Sequence, residues 1–163
     1  MMETLEHFWE LTGTAAVTLL GLLFVVITLG AERRKRGDEV LLHIFLTPTI
    51  VHLGVVFLMA LVGLSPERDS LVLPFGFVGL AGLVYSLTIT RKAIRAKVDI
   101  DALVYHGVIP TLCYAGIVVA AWPGAVSLKQ AILVLRIDSA LLLVVGMRNA
   151  WAVAIDIAGR ERQ

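Results

Sequence analysis

The segment AILVLRIDSALLLVVGM, residues 131–147, is apolar except at its centre, where Arg136 and Asp138 place a positive and a negative charge two residues apart. A charge at mid-bilayer costs roughly 2.5–3.5 kcal/mol on insertion scales, so such groups face protein or water and take partners. Two residues correspond to about 200° of helix rotation. Arg136 and Asp138 therefore leave the helix on opposite faces and cannot pair with each other within it. Each must meet another helix of the chain or a neighbouring copy.

Depth ranks the partners. With a helix starting near Leu128, Asp138 lies about 15 Å along it and Arg136 about 3 Å shallower. His52 lies about 18 Å along an apolar run that starts near Val40 and so reaches the same depth. Thr49 shares nearly the same face as His52, and Pro48 loosens the backbone beside it. An Asp138–His52 contact is allowed on these grounds. Such a contact would fix helix register, and it could also move a proton. Arg136 has no acidic residue at its depth, since Glu10, Glu67 and Asp69 lie toward the surface. An Arg136–Asp138 contact between copies would supply the missing partner and suits a ring of identical subunits. A displaced helix start would instead let Arg136 snorkel to the interface. Asn149 completes the candidate polar network of Arg136, Asp138, His52 and Thr49.

The elements that must hold these groups are apolar throughout. Of the 163 residues 58% are apolar and 17% charged, with mean hydropathy +0.88, against about 45–50% and about 25% in soluble domains. The apolar residues fall in five blocks at about 11–30, 40–63, 71–90, 102–122 and 128–150, the last continuing as an amphipathic tail to about Gly159. Each is long enough for a hydrocarbon core about 30 Å thick. The expected fold is all-α: a single domain over 1–163, an integral membrane bundle of five transmembrane helices.

The residues ahead of the first block carry Glu3, Glu6 and Glu10 and no basic residue, unlike the start of a secretory leader, and Arg33, Arg34, Lys35 and Arg36 follow it as a stop-transfer signal. The first block is therefore expected to span. Arg91, Lys92, Arg95 and Lys97 fill the third break, and Arg148, Arg160 and Arg162 the C-terminal end, so these three segments hold 11 of the 14 basic residues. The positive-inside rule places them in the cytoplasm and the N-terminus outside. Trp9, Trp122 and Trp151 fall at span ends, where an aromatic belt is expected. The basic loops touch anionic lipid, and nothing points to nucleic acid.

Small residues mark close helix approach. Thr14, Thr18, Gly21, Val25 and Thr28 line one stripe of the first helix, a weak candidate pore lining. Gly76, Gly79, Gly82, Ser86 and Thr90 line one stripe of the third, a candidate for packing within the chain or between subunits. In the fourth, Pro110 followed by Thr111 and Tyr114 marks a kink whose freed carbonyl needs a partner. His43 and His106, with Asp99 or Asp101, lack the spacing of a metal site; those histidines are expected to bond backbone or head groups. Cys113 is the single cysteine, which excludes an intrachain disulfide. No nucleophile–base set, phosphate cradle or paired-carboxylate site is present, and with breaks of only about 5–12 residues there is no room for a soluble catalytic domain. No enzyme activity, cofactor or metal is expected.

The stretches FWELTGTAAVTLLGLLFVVITL and LTPTIVHLG resemble a family of small multi-span bacterial inner-membrane proteins that are uncharacterised. The resemblance covers about a third of the chain. It implies a bacterial inner membrane and assigns no functional residue; some members carry labels suggesting modulation of a membrane protease. Two functions are thus expected. The first is a homo-oligomeric channel or ion-conducting protein built on the Arg136, Asp138 and His52 network, with the bilayer, its own copies and ions as partners. The alternative is a non-enzymatic regulator or scaffold that binds another membrane protein.

Overall fold

A computed structural model describes residues 2–31, 38–65, 72–95 and 98–159. Arg33–Arg36, Glu67, Arg68, Asp69, Lys97, Arg160 and Arg162 lie outside the described residues, as does the side chain of His43. The described chain is all-helical. Helix α1 is Met2–Ala31, α2 Asp38–Gly63, α3 Val72–Arg95, α4 Ile100–Ala121 and α5 Leu128–Gly159. Four of them, over Glu3–Thr28, Leu73–Arg95, Ile100–Ala121 and Leu128–Ala152, are long and apolar enough to cross a membrane; in α2 the apolar stretch is Thr47–Gly63.

Local chemistry explains the ends. Glu3 in the first turn of α1 and Lys92 and Arg95 in the last turn of α3 oppose the helix dipole. The link from α4 to α5 has Pro123 and then Gly124 at φ 80°, with Ala125 N–H donating to the Trp122 carbonyl at 3.2 Å, the pattern of a type II turn. Ser127 then caps α5. Its N–H and hydroxyl both donate to Gln130 Oε1, at 3.0 and 2.7 Å, and Gln130 N–H donates back to Ser127 Oγ at 3.4 Å, a capping box.

Helix α1 begins nine residues ahead of the first apolar block because Leu5, Phe8 and Trp9 carry the bundle contacts up to its end. Trp9 is 3% exposed and stacks near Phe75, with ring centroids 6.1 Å apart. A Cβ on Gly63 would lie 2.6 Å from its ring. Trp9 is thus a core residue and not part of an aromatic belt; Trp122 and Trp151 are exposed.

Helices α2 and α5 form the centre, with α1 against both on one side and α4 on the other, while α3 packs chiefly on α4. The register of α2 on α5 is antiparallel: Ser139 Oγ lies 3.7 Å from Met59 Sδ, and a Cβ on Gly146 would meet Leu53 at 2.6 Å. The outside of the bundle is apolar, with Phe24 and Phe77 more than two-thirds exposed alongside Leu11, Leu80, Leu112, Leu133 and Val144. His52, Thr49, Ser86, Ser139 and Asn149 are fully buried. An apolar exterior around a polar interior suits a hydrocarbon surrounding.

Candidate functional site: a buried polar column

Helix α4 departs from regular geometry at residues 104–108, which form a π-helix, and the cause is Pro110. A proline in an α-helix offers no N–H to the carbonyl four residues back, and its ring clashes with that carbonyl. Here Ile109 N–H donates five residues back, to Val104. The Gly107 carbonyl accepts from Thr111 Oγ1 at 2.7 Å and from Ser86 Oγ at 3.4 Å. Ser86 and Thr111 share a 2.8 Å hydrogen bond, and Thr90 Oγ1 donates to the Ser86 carbonyl. The expected kink is therefore absorbed as a π turn whose carbonyl is met by hydroxyls from α3 and α4, as the lack of competing water in hydrocarbon requires. His106 and Gly107, inside this turn, are buried.

The polar side chains of the interior lie at successive levels where α2, α4 and α5 meet. Nearest the Trp122 end of the bundle is Asp138, 8% exposed. It faces α4 at Gly116, close enough that a Cβ there would collide with its carboxylate. Its Oδ2 is buried with no hydrogen-bond partner among the described residues. Ser139 beside it donates to the Leu135 carbonyl at 2.7 Å.

About 10.5 Å further along α2, seven residues from Met59, stands His52, fully buried. Its Nδ1 is hydrogen-bonded to the Tyr114 hydroxyl at 2.8 Å, while Nε2 is buried with no partner among the described residues. The Tyr114 ring fills the space left by Gly82 of α3. The depth-allowed contact of His52 with Asp138 is thus replaced by one with Tyr114. Asp138 Oδ2 and His52 Nε2 both remain available.

One turn beyond the Leu53–Gly146 contact, helical geometry brings Thr49 and Asn149 to the same level. Both are fully buried, and neither Asn149 Oδ1 nor Nδ2 has a partner among the described residues. His106 lies within electrostatic reach of both His52 and Arg148. The Arg148 guanidinium covers the Tyr105 ring at 3.6 Å. His106 is thus part of the buried column, not a residue at the head groups. Between the Asp138 and His52 levels lies an apolar layer, Val56 on α2 and Leu142 on α5, both fully buried.

Arg136 is half-buried and stands over the Phe8 ring of α1 at 4.8 Å. The two charges of α5 thus find their surroundings on opposite sides of one chain, Arg136 against α1 and Asp138 against α4. The small-residue stripes also divide. On α3, Cβ atoms on Gly76, Gly79 and Gly82 would meet Ala121, Ile117 and Tyr114 of α4, so with Ser86 and Thr90 this stripe is consumed by packing inside the chain. On α1, Thr14, Thr18, Gly21, Val25 and Thr28 are all exposed. Thr18 and Thr28 bond back to the Thr14 and Phe24 carbonyls, and nothing lies within 4 Å of a Cβ built on Gly21. The α1 stripe faces outward and lines no interior path.

Tyr114, Gly116 and His106 carry the geometry of the column without having been assigned to it from sequence. A tyrosine in mid-span, where belt tyrosines do not sit, was the available signal. Among the described residues no group of three or more His, Cys, Asp or Glu is arranged to hold a metal. No family model, curated protein or solved structure matches this chain.

Proposed function

We propose that the chain is an ion-conducting protein of a bacterial inner membrane, with five spans, an outside N-terminus and a cytoplasmic C-terminus, and that the column from Asp138 through His52 to Asn149 is its conducting element. The observation that carries this is the set of buried atoms without hydrogen-bond partners among the described residues: Asp138 Oδ2, His52 Nε2, and Asn149 Oδ1 and Nδ2. A buried polar group left unsatisfied costs about 1–3 kcal/mol, and interior polar sites of this kind take up ordered water. Intramembrane ionisable groups sealed inside a bundle mark ion and proton pathways. The test is flux from proteoliposomes into which the purified chain is reconstituted. Ion movement above that of empty vesicles, cut at least tenfold by Asp138→Asn, is expected. No movement of protons, potassium or chloride would overturn the proposal.

One observation favours a second reading, a non-enzymatic scaffold. The exposed Thr14, Thr18, Gly21 and Thr28 face of α1 suits close association with another helix, of a second copy or of another membrane protein. Under that reading Gly21→Leu abolishes a co-purifying partner or a self-associated species while flux stays at background.

A further inference from the structure

We infer that the conducted ion is the proton, carried within a single protomer, and that the Val56/Leu142 layer is a hydrophobic gate between two proton-exchanging compartments. This rests on the ion-conducting reading above. Three features point to it.

The first is the chemistry of the lining. The column offers one carboxylate, imidazoles, a phenol and an amide at separate levels. Only Asp138 would be anionic, and no level gathers the several oxygens a dehydrated metal cation needs. Among the described residues the His52 imidazole is hydrogen-bonded to the Tyr114 hydroxyl and lies near His106, both on α4 and both able to carry a proton.

The second is the gate. Val56 is one turn from His52 along α2, and Leu142 one turn from Asp138 along α5. Both have no exposed surface. Apolar constrictions of this kind gate by dewetting. A hydrated cation or halide would have to force the layer open, whereas a proton needs only a transient file of water.

The third is the His52–Tyr114 pair at 2.8 Å, with Nε2 directed to no protein acceptor. A hydronium at the end of a water file through the gate gives its excess proton to the Tyr114 oxygen as the hydroxyl's own proton passes to His52 Nδ1, and is left as water. The imidazolium then releases its Nε2 proton to water on the Asn149 side. Each transfer breaks one O–H or N–H bond and forms another, and the charge enters and leaves on water. A half-turn of the imidazole carries Nδ1–H away from Tyr114, water on the Asn149 side exchanges that proton for one on Nε2, and return of the ring with rotation of the phenolic O–H restores the starting state.

The experiment uses vesicles holding the full chain with a pH-sensitive dye inside, driven by a potassium diffusion potential, beside vesicles that report potassium and chloride movement. Circular dichroism and size exclusion confirm that each variant is folded. Proton influx without potassium or chloride permeation is expected. Tyr114→Phe and His52→Ala should lower it at least tenfold, Leu142→Ala should raise it severalfold with the ion selectivity kept, and Leu142→Phe should lower it. Potassium or chloride permeation in the unmodified chain overturns the proton assignment and leaves ion conduction standing. Proton influx that ignores Tyr114→Phe and both Leu142 variants overturns this route. Absence of all flux overturns the ion-conducting reading itself.

Discussion

The Asp138 carboxylate occupies the space that a Cβ on Gly116 would need. A residue in α4 without a side chain is what admits a carboxylate between α4 and α5. Gly116→Ala should therefore displace Asp138 and lower stability by about 1–3 kcal/mol, the usual cost of overpacking. The melting midpoint in detergent reports it. An unchanged midpoint would mean that α4 and α5 separate freely at this level.

Tyr114→Phe removes the hydrogen bond to His52 Nδ1 and leaves a second buried nitrogen unsatisfied on the same ring. The expected loss is about 1–3 kcal/mol. His52→Leu removes the whole polar group, so adding Tyr114→Phe to it should cost far less than Tyr114→Phe costs in the unmodified chain. Strict additivity in a double-mutant cycle would contradict the pairing.

Gly82 of α3 and Gly21 of α1 should respond in opposite ways. Gly82→Ala drives a methyl into the Tyr114 ring and should destabilise by about 1–3 kcal/mol. Gly21→Ala meets open space and replaces a poor helix former with a good one, a gain of up to about 1 kcal/mol. Parallel melts of the two variants check the sign of each. A loss at Gly21 would indicate that its face is covered in the membrane.

The Arg136 guanidinium stands over the Phe8 ring. Phe8→Leu keeps the apolar bulk and deletes the ring, so it should cost about 0.5–2 kcal/mol. In an Arg136→Met background the same change should cost markedly less. Equal costs in both backgrounds would mean that the guanidinium gains nothing from Phe8.

The apolar blocks locate all five helices, and the ends of α2 and α4 to within about two residues, because runs of apolar side chains leave few alternatives; the first nine residues of α1 lie outside the block that marks it. They also single out His52, Asp138, Thr49 and Asn149, since polar groups in such runs must turn inward. What the residues at the charge pair do not reveal is the partner of each charge. Arg136 over Phe8 leaves no pattern of opposite charges to read, and Gly116 is visible as an accommodating residue only once the register of α4 against α5 is fixed. Trp9 was obscured for a related reason: it is an amphipathic aromatic at a span end, and only three-dimensional packing assigns it to the core. Pro110 predicts a disturbance in α4, but whether it becomes a bend or a π turn depends on the hydroxyls of Ser86 and Thr111 across the helix boundary.

The turn at residues 104–108 holds one residue more than a regular α-helical stretch of the same rise would. That surplus sets the phase between the two halves of α4. Passing it one step along the helix would swing His106 and Tyr105 around the axis by about 100° while Gly116 and Tyr114 stayed in place. The imidazole would leave the interior and Arg148 would lose its aromatic cover. A migrating defect of this kind would exchange the partners of carbonyls, of which that of Gly107 already accepts from hydroxyls, and would break the Arg148–Tyr105 contact. It gives the chain a rotary adjustment at one end of its polar interior that does not disturb the glycine-lined seam holding the other.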